Sequence, residues 1–147
     1  MRQSVYQSIL VLLDGRATGE RGLAWARQLA HGPLSIIHLL VIEPPARSVR
    51  EGSRVIAFAD QMEDAVRASA LAYLERVAIP LREDGHTVEM HVRIGTPIPA
   101  MCAAIDELAA DVAVLSPSEP GGLPRDPLSA TARVPVLVAG PRCQRSA

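Results

Sequence analysis

The chain has 147 residues, with 15 basic against 16 acidic side chains, a net charge of −1, 48% hydrophobic residues and 3% aromatic ones. That length suits one domain with a sizeable core, and the near-neutral charge gives no global field for nucleic acid or an anionic membrane. Every basic residue is an arginine and lysine is absent, which excludes a P-loop lysine, a Schiff-base lysine and a kinase-type lysine.

Other exclusions follow. Tyr6, Trp25, Phe58 and Tyr73 are too few for a platform that stacks single-stranded bases. Two cysteines, Cys102 and Cys143, do not make a disulfide framework in a chain of this length. No apolar run reaches the roughly eighteen residues of a membrane span. Asp14 and Arg16 follow the first apolar run directly, unlike a signal peptide. The expected setting is the cytoplasm, with no nucleic-acid or membrane partner.

Ser8 to Leu13 (SILVLL) is a continuous apolar run, which predicts a strand buried on both faces. Asp14-Gly15 ends it. Thr18 is placed to cap a helix over Glu20 to Ala30, with Leu23, Ala26 and Ala30 on one face and Trp25 and Leu29 beside it. His31-Gly32-Pro33 stops that helix, and Leu34 to Ile42 reads as a second buried strand. Residues 44 to 54 read as a connection. A long helix is predicted from Val55 or Asp60 to Glu83, with Met62, Val66, Ala70, Tyr73, Val77 and Leu81 at three- and four-residue steps. Pro80 should kink or shorten it, and Gly85 is its natural stop.

Thr87 to Ile94 alternates as a third strand, with Val88, Met90, Val92 and Ile94 on one side. Gly95-Thr96-Pro97 supplies a turn, an N-cap and a first helical proline. Ile98, Met101, Cys102 and Ile105 then form an apolar stripe. Asp111 to Leu115 is a fourth strand and Pro135 to Ala139 a fifth, after a loop with room for one short helix. The tail, residues 142–147, is polar. Five strands alternating with helices predict an α/β fold: a single domain with a mostly parallel five-stranded sheet flanked by helices on both faces. In such a sheet ligands bind beyond the carboxyl ends of the strands, where strand order reverses. Strands one and four should flank that point, ending at Asp14 and Ser116.

The loop from Ser116 to Pro135 is where a phosphate cradle would lie, and its chemistry argues against one. A cradle needs consecutive main-chain N–H groups aimed at one point. Pro117, Pro120, Pro124 and Pro127 each lack that donor. Glu119 and Asp126 bring carboxylates, against the basic residues Arg125 and, at its far end, Arg133. Asp14 could accept hydrogen bonds from a ribose, or it could bond to the local N–H groups of Gly15 and Arg16. A phospho-acceptor role for it fails, because strand three ends Arg93-Ile94-Gly95 and no lysine follows strand five. His38 reads as a core histidine. His31, His86 and His91 sit on other segments, so metal-ligand spacing is absent and no metal is expected. Cys102 lies on an apolar stripe and reads as packing.

The order strand-Asp-Gly, helix, "IIHLLVIEP", long helix, "VRIGTPIPAMCAAIDELAADVAVLSP", loop, "PVLVAGP" resembles the universal stress protein family over Ser8 to about Pro141. The resemblance implies an adenine nucleotide alpha hydrolase-like, Rossmann-like fold, a homodimer paired through the last strand, and a role in stress survival rather than a defined reaction. One branch of that family binds ATP. By the resemblance, Asp14 would lie by the ribose and Leu39 would meet adenine through its backbone. The phosphates would sit on Gly-x-x-Gly, nine residues, then Gly-Ser or Gly-Thr. Here Ser116 and Glu119 replace the two glycines and Ser129-Ala130 replaces the last pair, with Gly121 and Gly122 displaced.

The candidate nucleotide site is therefore Asp14, Leu39, Ser116, Gly121, Gly122 and Ser129, in a degenerate form. The candidate dimer interface is Val136, Leu137, Val138 and Ala139, whose edge a two-fold partner would cover. The expected function is a dimeric binding and signalling module with a protein partner, no catalysis and no cofactor. The alternative is an ATP or AMP binder using magnesium, with slow ATPase activity.

Overall fold

A computed structural model describes residues 6–45, 54–116 and 133–138, with side chains at all of these except 18 and 54–59. The strands are β1 (Ser8–Leu13), β2 (Ile36–Glu43), β3 (Thr87–Ile94), β4 (Val112–Leu115) and β5 (Val136–Val138). The helices are α1 (Arg21–Leu29), α2 (Arg54–Glu83) and α3 (Pro97–Glu107). The sheet order is β3-β2-β1-β4-β5 and every neighbouring pair is parallel. The order reverses between β1 and β4, as expected of a doubly wound sheet.

Period-two alternation divides the apolar strands between two layers. Ile9, Val11, Leu13, Ile37, Leu39 and Val41 face α1 and α2, meeting Ala26, Ala70, Leu74, Ala78 and Leu81. Leu10, Leu40, Ala113 and Leu115 face the opposite way, meeting Met101, Ala104 and Ile105 of α3. Both faces of β1 and β4 are thus covered, which is why they read as unbroken apolar runs.

The predicted strands hold to within two residues at each described end, and β1 and β3 match at both. Four helix details differ. A 3-10 turn, Ala17–Glu20, precedes α1, and Glu20 occupies its N-cap position without a side-chain capping bond. Thr18 lies within that turn, ahead of the N-cap position. Pro80 stays inside α2, where it occupies the last turns on the exposed side, and Asp84 N–H still reaches the Pro80 carbonyl at 3.1 Å. Met62 and Val66 of the predicted stripe are exposed, because burial against the sheet begins at Ala70. Trp25, expected in packing, is 46% exposed. The loop from Pro117, the predicted short helix and the tail with Cys143 lie outside the described residues.

Polar clamps secure the amino ends of the strands. Asp111 Oδ2 accepts the N–H groups of Gln7 and Ser8 at 2.8 and 3.0 Å. The Ser35 hydroxyl, fully buried, donates to the Tyr6 carbonyl at 2.6 Å and accepts from His31 N–H at 2.9 Å.

Candidate functional site

At its carboxyl end β1 gives way to Asp14 and to Gly15, whose φ of +82° belongs to the left-handed region that favours glycine. The chain turns so that Asp14 Oδ1 accepts Arg16 N–H at 2.9 Å. The 3-10 turn then folds Gly19 back onto the same carboxylate. A Cβ at Gly19 would fall 2.2 Å from Asp14 Oδ1, so any side chain there would push the Asp14 carboxylate from its place. One turn on, Gly22 presses against β4. Its N–H donates to the Ser116 hydroxyl at 2.8 Å, and a Cβ there would sit 2.9 Å from Val114 Cγ1. Ser116 thereby caps α1 from another strand, taking one of the N–H groups that a helix start leaves unpaired.

Beside this junction two recesses open on the α2 side of the sheet. One, of about 320 Å³, is lined by Gly15, Val41, Glu43, Val66, Ser69, Ala70, Tyr73 and Arg76. The other, of about 500 Å³, is lined by Gly15, Glu20, Leu23, Arg27, Tyr73, Arg76, Val77 and Pro80. Both volumes fall in the range of small-molecule sites. Tyr73 stands where they meet, and its phenol donates to Glu20 Oε1 at 2.9 Å. Burial first, and the Glu20 carboxylate second, push the Tyr73 phenol well above its ordinary value of 10.0. The Arg76 guanidinium lies 6.0 Å from the Tyr73 ring centre, at the outer limit of a cation–π contact. The recesses therefore offer the guanidinium of Arg76, that of Arg27 (paired with Asp84), one protonated phenol and the carboxylates of Glu20 and Glu43.

The fold brings Asp14 and Ser116 together at the switch point as the sequence predicts, and both are engaged by main-chain N–H groups. For Asp14 the local-backbone alternative is the one realised. Leu39 is elsewhere: it pairs with Val11 and Met90 in mid-sheet and is 0% exposed. The β2 residues that reach the cleft are Val41 and Glu43. Gly121, Gly122 and Ser129 lie outside the described residues, as does Ala139. Val136, Leu137 and Val138 form the outer strand at the β5 edge and are half-buried.

Sequence reasoning missed Glu20, Tyr73 and Arg76. The signal was present, since Tyr73 and Arg76 are neighbours on a helix that crosses the strand ends. Their heptad-like setting reads equally as packing.

The expectation that metal-ligand spacing is absent needs correction in one respect. Spacing along the chain does not register pairing between strands. Parallel pairing of β2 and β3 brings His38 and His91 together, with Nδ1 and Nε2 3.0 Å apart and Glu89 beside both. Burial lowers both imidazoles below the usual 6.5. The neighbouring His91 adds to the effect on His38. At His91, Glu89 opposes the shift and Arg93 reinforces it.

A parallel five-stranded sheet with helices on both faces and a cleft at its switch point defines a doubly wound α/β protein. The model of the universal stress protein family matches residues 5–139, and the chain belongs to that family.

Nothing among curated proteins matches the chain. Among solved structures it is similar to the hypothetical protein MJ0577, at 18% identity and a TM-score of 0.79, covering 95% of this chain and 99% of that one. It is also similar to a universal stress protein in complex with cAMP, at 19% identity and a TM-score of 0.67, covering 93% and 98%. A third is a universal stress protein family protein from Arabidopsis thaliana with AMP bound, at 17% identity and a TM-score of 0.69, covering 93% of each chain. These likenesses are of fold. Among the described residues no helix is long and apolar enough to cross a membrane.

Proposed function

We propose that this protein is a dimeric, cytoplasmic binding and signalling module of the universal stress type that acts without turnover and does not hold ATP tightly. The observation that supports this reading most directly is the state of the switch point. Asp14 and Ser116, its two polar side chains, already bond to the N–H groups of Arg16 and Gly22. A nucleotide could use only what they have left, Asp14 Oδ2 and the Ser116 O–H. The loop that follows adds four prolines without donors and two carboxylates. Among the described residues lining the cleft the hydroxyls are those of Ser69 and Tyr73, and the Tyr73 phenol is held protonated, not activated as a nucleophile.

A second reading has an observation of its own. The recesses at Gly15, Tyr73 and Arg76 are large enough for a nucleoside monophosphate, with the Arg76 guanidinium shared by both for its charge. Relatives of the same fold have been crystallised with cAMP and with AMP. In this reading a mononucleotide occupies the cleft and the loop is not needed to grip further phosphates.

Denaturing the purified protein and analysing the released small molecules by mass spectrometry tests both. A thermal-shift series with ATP and magnesium, AMP and cAMP completes the test. A ligand at a hundred times its Kd stabilises by about 2.7 kcal/mol. Absence of bound nucleotide and of any shift supports the module. A shift with AMP or cAMP alone, abolished by Arg76→Ala, supports the mononucleotide reading. A shift with ATP that exceeds the shift with AMP overturns both.

A further inference from the structure

The α3 face of the sheet is apolar across β1 and β4 and becomes polar at the β3 edge. The side chains of β3 on that face are Thr87, Glu89, His91 and Arg93, and Arg93 pairs with Glu107 of α3. The register of β2 on β3 sets His38 opposite Glu89 and Leu40 opposite His91. His38 is 5% exposed and so nearly withdrawn from water. A buried imidazole needs partners, and here two groups converge on one of its nitrogens. His38 Nδ1 lies 3.0 Å from His91 Nε2 and 3.3 Å from Glu89 Oε2, and the last two atoms are 3.8 Å apart.

Those three separations define a triangle whose corners lie about 2.0 Å from a common centre, the bond length of zinc to imidazole nitrogen and to carboxylate oxygen. An ion could sit there, or slightly out of the plane, with each donor atom where it already is. A hydrogen bond between the two rings would account for two of the atoms. It does not call for a carboxylate oxygen on the same point.

We propose that His38, Glu89 and His91 bind one divalent first-row transition-metal ion, zinc being the best match, with a fourth coordination position open to solvent. Two imidazoles and one carboxylate suit such ions and not calcium or magnesium, which take oxygen sets. The open position follows from exposure: the side chain of Glu89 is 52% exposed and that of His91 20%. Ligand imidazoles must be unprotonated, and burial favours that state at both histidines. The site is separate from the nucleotide cleft, because Val41 and Tyr73 of that cleft belong to the α2 side of the sheet. Its physical effect is to pin the outer strand β3 to β2.

Titration of the metal-free full-length protein with cobalt(II), followed by visible absorption, tests the proposal. Zinc is then measured in competition with a chromophoric chelator. One equivalent should bind, with d–d bands of a low-coordinate nitrogen and oxygen site, no thiolate charge-transfer band, and a raised thermal midpoint. Glu89→Gln and His91→Gln should each weaken zinc at least about tenfold, since even outer-sphere changes cost that much. His31→Gln should leave the affinity unchanged. Glu89 is exposed on an edge strand, so that variant decides the matter even if His91→Gln fails to fold. Binding no tighter than to free imidazole, a thiolate band, or zinc affinity unchanged in Glu89→Gln overturns the assignment.

Discussion

Replacing Ser116 by alanine removes the hydroxyl that takes the Gly22 N–H at 2.8 Å. Glu20, at the N-cap position of α1, makes no side-chain capping bond, so Ser116 is the substitute cap supplied from the end of β4. Loss of a cap costs about 1 kcal/mol, rising toward about 3 kcal/mol where the orphaned donor stays out of water. For a domain of this size each kcal/mol lowers Tm by about 3 °C.

Gly22→Ala probes the same contact from the other side. Helix propensity favours alanine by about 1 kcal/mol. The new methyl would lie 2.9 Å from Val114 Cγ1 and 3.2 Å from Ser116 Oγ, and overpacking of that kind costs about 1–3 kcal/mol. The net expectation is a loss of about 1 kcal/mol. Val114→Ala should convert Gly22→Ala from a loss to a gain relative to its own background, because the obstructing methyl is gone. Urea denaturation of the four single and double variants measures this coupling, and hydrogen exchange at Gly22 reports the cap directly. If Ser116→Ala changes stability by less than about 0.3 kcal/mol and leaves Gly22 exchange unaltered, the cap does not exist and the case against triphosphate binding loses its main support.

Two further predictions concern other elements. In a Tyr6→Phe variant, absorbance at 295 nm should show Tyr73 ionising well above 10, with Glu20→Gln bringing it part of the way back. A phenol whose folded pKa is raised contributes stability that is complete below the unfolded value and is lost as pH rises toward the folded one. Titration of Tyr73 near 10 in a still-folded protein would refute its placement. At the other edge, Ala113 N–H donates to the Pro135 carbonyl, so by alternation Val136 and Val138 aim their N–H groups away from β4. Val138→Pro should therefore leave the protomer folded while removing a donor that a partner strand would use. Sedimentation should show a dimer for the wild type and a monomer for this variant, and a variant that stays dimeric refutes pairing through β5.

How much of this was legible depended on the range of the interaction. Strand runs such as SILVLL and the Gly95-Thr96-Pro97 helix start are local, and they fold as their composition dictates. The switch point was legible too, because alternation of strands and helices predicts a doubly wound parallel sheet, and the order observed is one of the common orders of that class. Leu39 was not. Its run is apolar throughout, and only the register shows that residues two and four places further on reach the cleft. Thr18 reads as a cap because hydroxyls cap helices, but the real cap is a hydroxyl 94 residues away from its partner. His38 and His91, separated by 53 residues, become neighbours through a strand register that linear spacing rules do not contain.

The two sheet edges solve the problem of unpaired strands differently. β3 spends its α3-side positions on Thr87, Glu89, His91 and Arg93, and such charges discourage another strand from docking. β5 offers Val-Leu-Val, with half-buried side chains and outward N–H groups, and has no comparable protection among the described residues. A polar edge is free to acquire chemistry, since its side chains need not be apolar for packing. An apolar edge is left with association. The amino ends of the strands, by contrast, are tied by Asp111 and Ser35. Change that alters function without unfolding the domain is therefore best tolerated at the carboxyl ends and at the two edges. Within this family fold, the β3 edge is where this chain gathers two imidazoles and a carboxylate.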